Sequence, residues 1–148
     1  MKAIVQRVSS CEVSVRYSLI SKISKGILAY VGFARSDTEK DIEFVAKKIL
    51  SIRVFKGTNE RLEQSVQDVG GDIMIVSQFT LYGDASRGTI PSFSAAASYR
   101  VAEPLYRAFI DLFNKVDNLR VETGEFGQDM SVMSINDGPV NLIIDSAR

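Results

Sequence analysis

The sequence predicts one domain of the α+β class, with strands toward both ends of the chain and a helix on either side of a central strand. Apolar residues recur at every second position in some segments and at every third or fourth position in others. Runs of strands with segregated helices favour α+β over a doubly wound parallel sheet. With 148 residues and 45% hydrophobic content, the chain is expected to form a single domain, residues 1–148, with a real core.

Three strands and one helix are predicted in the first half of the chain. Residues 2–8 and 12–17 alternate between apolar and polar side chains, and residues 26–33 read as a buried strand. A helix is then predicted to begin in a capping box, Ser36-Asp37-Thr38-Glu39. Its apolar stripe is expected to face the core and consists of Ile42, Val45, Ala46, Ile49 and Leu50.

The second half of the chain begins at Gly70-Gly71, a turn that leads into a predicted strand at residues 72–79. Residues 82–97 are rich in Gly, Ser and Ala without periodicity, which predicts a long ordered loop of the kind that carries function. A second helix follows. Because Pro104 is tolerated only in a first turn, this helix either begins near residues 100–102 or is kinked there. Three further strands are predicted at residues 119–123, 130–135 and 140–145.

The composition excludes several kinds of chemistry. The chain has no His, so a Ser-His-Asp or Cys-His catalytic arrangement is impossible. With a single cysteine, Cys11, the chain cannot supply the usual ligands of zinc or form an internal disulfide. We therefore expect no metal and no cofactor, with catalysis left to hydroxyls, backbone amides, carboxylates or groups of the substrate. Cys11 itself is expected to be a small, half-buried apolar residue.

Charge and hydropathy restrict the partners and the compartment. Lys plus Arg and Asp plus Glu each number 18, so the chain is not expected to track a long stretch of nucleic acid, and DNA is not an expected partner. Capture of a nucleic-acid end, where few phosphates are touched, remains compatible with this balance. Apolar runs such as residues 27–31 are too short to span a membrane, and Gln6 and Arg7 come too early for a signal peptide. A cytoplasmic location is expected.

Two short segments stand out because each adjoins an apolar run: Ser77-Gln78-Phe79-Thr80-Leu81 and Asn136-Asp137-Gly138-Pro139-Val140. The first could be a buried strand that ends in a turn, but it leads directly into the long loop. Backbone N–H groups at such an exit can point at a developing oxyanion, and the Gln78 amide can both donate and accept. The Thr80 hydroxyl is either a nucleophile or a group that orients the substrate, and the missing base favours the second role. The second segment, by itself, reads as an ordinary turn.

The two segments resemble the signatures of the D-aminoacyl-tRNA deacylase (D-Tyr-tRNA deacylase) family, Ser-Gln-Phe-Thr and Asn-x-Gly-Pro-Val-Thr. The resemblance runs from Gln6-Arg7-Val8 to Asp145. It implies a barrel-like, two-sheet β core, largely antiparallel, with two helices, assembled as a homodimer. The implied activity is hydrolysis of the ester of D-aminoacyl-tRNA, and of mischarged glycyl-tRNA, to free amino acid and tRNA. Rejection of L-aminoacyl-tRNA is implied as well.

The resemblance also implies roles for individual residues. Ser77, Phe79 and Thr80 are implied to be catalytic, and the residues that hold the aminoacyl-adenosine end of tRNA are implied to be Gln78, Phe126, Met130 and Ala102. Core positions are the alternative reading for Phe126 and Met130. Gly138 and Pro139, joined by a cis bond, are implied to enter the partner subunit's pocket, bind the α-amino group and exclude one hand of the substrate by clash.

Three positions depart from the family pattern. The chain has Asn141 where the family usually has Thr, Ile90 where it usually has a basic residue, and Leu62-Glu63 where it usually has Met-Asn. Asn141 keeps the ability to form hydrogen bonds, whereas Ile90 removes a charge near the expected tRNA end. Two other functions therefore remain open: a non-catalytic homologue that binds tRNA or RNA ends, and a β-rich scaffold whose Gly-Pro loop only locks a dimer.

Overall fold

A six-stranded sheet forms the centre of the computed structural model, which describes residues 1–147. Strand β1, Lys2–Val15, pairs antiparallel with β3, Gly26–Gly32, through its first half and with β2, Ser18–Ile23, through its second half. The last strand, β8, Met130–Asp145, follows the other side of β1 along nearly its whole length. The two strands predicted at residues 2–8 and 12–17 are therefore one, and β2 was missed.

The sheet continues from β3 to β6, Asp72–Ser77, and then to β7, Val121–Thr123, through parallel pairings. All pairings of β1 are antiparallel. The expectation of a largely antiparallel sheet therefore holds for the half of the sheet around β1, whereas the half around β6 is parallel. The curled sheet nearly closes on itself, because Arg120 Nη2, just before β7, donates to the Lys22 carbonyl oxygen at 2.9 Å. A small second sheet contains β4, Phe55–Lys56, and β5, Leu62–Gln64. The nearly closed large sheet together with this small one confirms the expected barrel-like, two-sheet architecture.

Helix α1 spans Glu39–Ser51, and its capping box lies two residues later in the chain than the sequence predicted. Thr38 is the N-cap, and the Asp41 carboxylate accepts from the backbone N–H and the hydroxyl of Thr38, both at 2.8 Å. Ser36 and Glu39 were thus the wrong pair. The predicted stripe does face the core, with Ile42, Val45, Ala46 and Ile49 buried and Leu50 packed against them.

Helix α2, Tyr99–Asn114, contains Pro104 as its sixth residue. The expected start near residues 100–102 is thus one residue late. Pro104 lacks the N–H that would have donated to the Arg100 carbonyl oxygen. Arg100 lies at the exposed surface, so water can donate a hydrogen bond to that oxygen instead. Four residues of α2 are buried: Ala102, Tyr106, Phe109 and Phe113.

Strand alternation divides the buried side chains between two cores. Ile27, Ala29 and Val31 of β3 face the two helices, where they join Ile73 and Ile75 of β6. Side chains on the opposite face of these strands, such as Leu28 of β3 and Met74 of β6, point into the barrel interior. They belong to a second cluster of buried residues: Val8, Cys11, Val13, Ile23, Leu28, Met74 and Val76. Cys11 is fully buried rather than half-buried, and burial together with the charge of Glu12 raises the pKa of its thiol to about 11.

Strand β8 replaces the two strands predicted at residues 130–135 and 140–145. The intervening residues were read as a turn, but the chain continues in the same direction along β1 and only bulges outward there. Between the pairs Val8–Asn136 and Gln6–Asn141, residues 137–140 of β8 lie opposite Arg7 alone. We call residues 137–140 the Gly-Pro bulge. Most of β8 is partly or fully exposed, and of its residues Val140 and Ile144 are the buried ones.

Candidate active site

The first signature segment lies where β6 ends. The strand stops at Ser77, two residues earlier than predicted, and a 3₁₀ helix follows at Phe79–Tyr82. The Gln78 N–H donates to the Val31 carbonyl oxygen at 2.7 Å, which holds the exit of β6 against β3. A Cβ atom at Gly32 would lie 2.8 Å from the Gln78 carbonyl oxygen, so this close approach of backbones requires glycine.

Two adjoining cavities meet at this exit. The first has a volume of about 360 Å³ and is mostly apolar, with a lining of Val31, Gly32, Phe33, Ser77, Gln78, Phe79, Ala97, Tyr99, Ala102, Phe126 and Gly127. The second has a volume of about 480 Å³ and is lined by Val76, Ser77, Gln78, Phe79, Thr80, Gly127, Gln128, Asp129, Met130 and Val132. Together they offer an apolar compartment beside a more polar one.

Seven of the nine residues expected at the site come together here. Three of them, Ser77, Gln78 and Phe79, line both cavities. Ala102 and Phe126 line the first cavity, and Thr80 and Met130 line the second. Gly138 and Pro139 line neither cavity; both are exposed on β8, and the bond between them is cis.

The polar groups of the exit are amides and a hydroxyl. The Gln78 side-chain amide donates a short hydrogen bond to the Thr80 hydroxyl oxygen. Because an amide is not a base, this contact orients the Thr80 hydroxyl without activating it. The N–H groups of Phe79 and Thr80 open the 3₁₀ helix, and within the described chain neither donates a backbone hydrogen bond outside it. Both are therefore available to an oxygen atom in the cavities.

An aromatic row forms the wall of the first cavity. The Phe126 ring lies 5.2 Å from the rings of both Tyr99 and Tyr106, and the Tyr106 hydroxyl donates to the Ile75 carbonyl oxygen at 3.0 Å. Burial raises the pKa of Tyr106, so this phenol stays protonated and keeps its hydrogen bond. The neighbouring Gly127 has φ +78, and a Cβ there would come within 2.8 Å of the Tyr99 ring.

The loop predicted at residues 82–97 lies beside the site. An isolated bridge between Asp84 and Ser92 closes it, and the Phe93 ring packs edge-on against Phe79 with centroids 5.2 Å apart. Phe79 remains 58% exposed, which leaves its ring open to a ligand. Arg87 and Ile90 both point to solvent at the outer part of the loop.

The Gly-Pro bulge is fixed to the protein by Arg7, whose side chain is buried. Arg7 Nε contacts the Asp137 carbonyl oxygen at 3.2 Å and the Asp137 carboxylate at 2.9 Å, and Nη2 donates to the Gly138 carbonyl oxygen at 3.4 Å. The third nitrogen, Nη1, donates to the Val54 carbonyl oxygen at 2.5 Å. A planar guanidinium can contact several acceptors at once, here on three residues, so a single side chain orients the exposed bulge.

Several cavity residues were not found from the sequence. Tyr99 lies just before the predicted start of the second helix, Phe33 ends the strand predicted at residues 26–33, and Gln128 and Asp129 lie between two predicted strands; none of them was singled out. The signal that was available was Gly127, since glycine before a strand and beside an expected pocket residue indicates close packing. Across residues 1–147 no group of three or more Cys, Asp or Glu side chains is arranged to hold a metal ion, and no helix is long and apolar enough to cross a membrane.

Comparison with known proteins identifies a family model and relatives that match nearly the whole chain. The sequence profile of the D-Tyr-tRNA(Tyr) deacylase family matches residues 4–145. Proteins named D-aminoacyl-tRNA deacylase are 48% identical in Thermosipho melanesiensis, 43% in Chlorobaculum parvum and 47% in Clostridium botulinum, each over 100% of this chain and 99% of the relative.

Two solved structures share the fold. One, titled c-Myc DNA Unwinding Element Binding Protein, has a TM-score of 0.92 and 37% identity over 98% of both chains. The other, titled as a structural analysis of a probable eukaryotic D-amino acid tRNA deacylase, has a TM-score of 0.80 and 18% identity over 97% of both chains. With a family profile that covers nearly the whole chain and full-length relatives above 40% identity, the chain belongs to the D-Tyr-tRNA(Tyr) deacylase family.

Proposed function

We propose that this protein hydrolyses the ester bond of D-aminoacyl-tRNA and of mischarged glycyl-tRNA, releasing free amino acid and reusable tRNA. The observation that carries the proposal is the exit of β6, where Ser77, Gln78 and Phe79 line both the apolar cavity and its more polar neighbour, and Thr80 lines the second of them. The apolar cavity, with Phe126 at its wall and Ala102 beside it, suits a nucleoside ring. The adjoining polar cavity can then take the aminoacyl ester. Such a substrate would place the enzyme in the cytoplasm, where aminoacyl-tRNA is used.

The chemistry we propose is direct attack of water on the ester carbonyl. The carbonyl oxygen becomes negatively charged in the tetrahedral intermediate, and the N–H groups of Phe79 and Thr80 are available to stabilise it. The carbon–oxygen bond to the ribose then breaks, and the ribose oxygen takes up the proton that the attacking water gives up. The neighbouring ribose hydroxyl assists, since the chain has no His to act as a base. Thr80, which accepts a hydrogen bond from Gln78, orients the substrate with its own hydroxyl proton.

Selection of the D substrate is proposed to come from a second copy of the chain. Gly138 and Pro139 are exposed and line neither cavity of their own subunit, which favours a role in the cavity of a neighbouring one. The rest of β8 also exposes large apolar side chains, with Met133, Ile135 and Ile143 more than 60% exposed. In a homodimer built on this face, the bulge of one subunit would enter the partner's polar cavity, bind the α-amino group and clash with an L side chain.

The decisive experiment compares hydrolysis of D-tyrosyl-tRNA and L-tyrosyl-tRNA by the purified protein. We expect rapid release of D-tyrosine and little release of L-tyrosine, with glycyl-tRNA also deacylated. Equal rates on the two enantiomers would contradict chiral selection. Binding of tRNA without turnover of any D-aminoacyl ester would instead favour the non-catalytic RNA-end-binding homologue.

Gly138→Ala gives a matched test of the bulge. A Cβ atom at Gly138 meets no other atom within 4 Å in the single chain, so the substitution should leave folding intact. A fall in D-tyrosyl-tRNA turnover at unchanged thermal midpoint would then report contacts that approach the bulge from outside. Turnover and selectivity equal to those of the wild type would favour the scaffold reading, in which the bulge is only structural.

A further inference from the structure

Three amide side chains link the two ends of the Gly-Pro bulge to strand β1. Gln6 Nε2 donates to Asn141 Oδ1 at 2.7 Å, and Asn141 Nδ2 donates to Asn136 Oδ1 at 2.9 Å. Asn136 Nδ2 then donates to the carbonyl oxygens of Arg7 at 2.9 Å and Val140 at 3.4 Å. Asn136 and Asn141 immediately precede and follow the bulge, so their contact closes its neck. We call this series of contacts the amide relay.

The amide relay has a single direction. A primary amide donates through its nitrogen and accepts through its oxygen, so each contact fixes the orientation of the next group. Because Gln6 donates to the Asn141 oxygen, the Asn141 nitrogen faces Asn136, whose nitrogen in turn faces the backbone. Hydrogen bonds arranged in this way polarise one another and strengthen the series as a whole.

We propose that Gln6 and Asn141 are positioning residues, which hold the neck of the bulge closed so that Gly138 and Pro139 meet the aminoacyl ester in one orientation. This inference rests on the proposed function, because it takes the bulge to be the element that selects the substrate. Asn141 stands where the family usually has Thr. A Thr hydroxyl would have to reach Gln6 and Asn136 with one atom, whereas the Asn141 amide contacts them with two.

The relay and Arg7 act on different parts of the bulge. Arg7 is buried and holds the first two residues of the bulge, Asp137 and Gly138, from inside. Asn141 is exposed and Gln6 is partly exposed, so neither contributes much to the core. Loss of the relay is therefore expected to loosen the neck and lower substrate selection, while the folding of the protein is retained.

The test uses the full chain with Gln6→Ala, Asn141→Ala and the double variant, and Asn141→Asp as a variant of the same shape. An Asp carboxylate still accepts from Gln6 but cannot donate to Asn136. Asn114→Ala, at the exposed end of α2, is the matched control. The readouts are kcat and KM on D- and L-tyrosyl-tRNA, and hydrogen exchange of the backbone amides at residues 136–141.

Each single variant should lower the ratio of kcat for D over L substrate by about threefold to tenfold, the usual effect of one lost hydrogen bond. KM for tRNA should hardly change, because the relay does not touch the nucleoside cavity. The double variant should be no worse than the more affected single variant, since both substitutions break one series. Exchange at residues 136–141 should become faster in these variants, and Asn114→Ala should behave as the wild type.

A wild-type D-over-L ratio in both Asn141 variants, or single effects that simply add in the double variant, would overturn the relay. Absence of D-tyrosyl-tRNA hydrolysis by the wild-type protein would overturn the proposed function instead. In that event hydrogen exchange decides the structural part alone: faster exchange at residues 136–141 in the variants supports the relay, and unchanged exchange refutes it.

Discussion

Arg7 is a buried charge whose three side-chain nitrogens all have acceptors in the surrounding protein. Two of these acceptors belong to the Gly-Pro bulge and one, the Val54 carbonyl, to the segment that precedes β4. The Asp137 carboxylate at 2.9 Å balances the charge, although Asp137 itself is half exposed. One residue of β1 thus joins the exposed bulge to the core, and its contacts can be tested directly.

Replacement of Arg7 by Met should lower the free energy of unfolding by about 2 kcal/mol or more, because several charge-assisted hydrogen bonds are lost and the buried Val54 carbonyl loses the Arg7 donor. Turnover of D-tyrosyl-tRNA should fall as well, since Gly138 loses its anchor. Urea unfolding and a deacylation assay measure the two effects. Arg107→Met is the control: its ion pair with Glu103 lies on the surface of α2, and the change should stay within about 0.5 kcal/mol. Equal stability losses in the two variants would contradict the anchoring role.

Thr80→Ala should retain substantial deacylase activity, with kcat reduced by about tenfold at most, the effect of one orienting hydrogen bond. The reason is that Thr80 contacts the Gln78 amide, which cannot act as a base. Single-turnover hydrolysis of D-tyrosyl-tRNA is the measurement, and Thr80→Ser, which keeps the hydroxyl, should be close to the wild type. Complete loss of turnover with tRNA binding unchanged would make Thr80 the nucleophile.

Among the structural elements, α1 has the best-defined local signal. The Asp41 carboxylate accepts from the Ser146 hydroxyl at 2.7 Å and from Thr38, so it joins the start of α1 to the carboxyl-terminal end of the chain. These hydrogen bonds, with Ser146 the strongest cause, lower the pKa of Asp41 to about 2. The ionised form is therefore stabilised in the folded state.

This shift has a defined consequence for the pH dependence of stability. A carboxyl group whose pKa is lower in the folded than in the unfolded state stabilises the protein above its unfolded pKa, about 3.8, and loses that contribution as pH falls toward about 2. The free energy of unfolding of Asp41→Asn should therefore lie below that of the wild type at pH 6, and the difference should shrink below pH 4. Urea unfolding across pH 3–6 measures it, with Asp111→Asn on α2 as the control. A difference that does not change with pH would contradict this account.

For the molecule as a whole, the proposed function depends on assembly of two copies of the chain. Each chain brings seven expected site residues to the exit of β6 and leaves Gly138 and Pro139 outside. Strand β8 follows β1 on one side, and many of its apolar residues remain exposed. A second copy packed on this strand would both cover these residues and complete the site.

Ile143→Asp, at a position 71% exposed on β8, should convert a protein with the mass of two chains into one with the mass of a single chain. Activity on D-tyrosyl-tRNA should fall on the order of a hundredfold, as expected when a substrate-positioning group is displaced. Light scattering and the deacylation assay provide the two measurements. Phe44→Glu, which changes an exposed apolar residue of α1, should alter neither. A monomeric wild type with full activity would exclude the shared site.

Local patterns in the sequence determined what depends on neighbouring residues. The apolar stripe of α1 and the buried strand β3 follow from spacing and composition, and the absence of His restricts the possible chemistry. The strand β6 was also predicted, but its end was placed two residues too late. The resemblance to the family also identified seven of the residues that line the two cavities. The capping pair was misjudged by two residues, because Ser36 and Thr38 carry the same kind of signal.

The tertiary structure alone decided features that depend on pairing between distant residues. β1 is continuous because β8 supports it along its length, and the Gly-Pro segment is a bulge because Arg7, about 130 positions earlier, lies opposite it. Asn-Asp-Gly-Pro carries the same turn chemistry in either arrangement, so no local rule separates a turn from a bulge. Tyr99 reaches the cavity wall only because α2 packs beside Phe126, and a helical pattern specifies which residues share a face but not what that face meets.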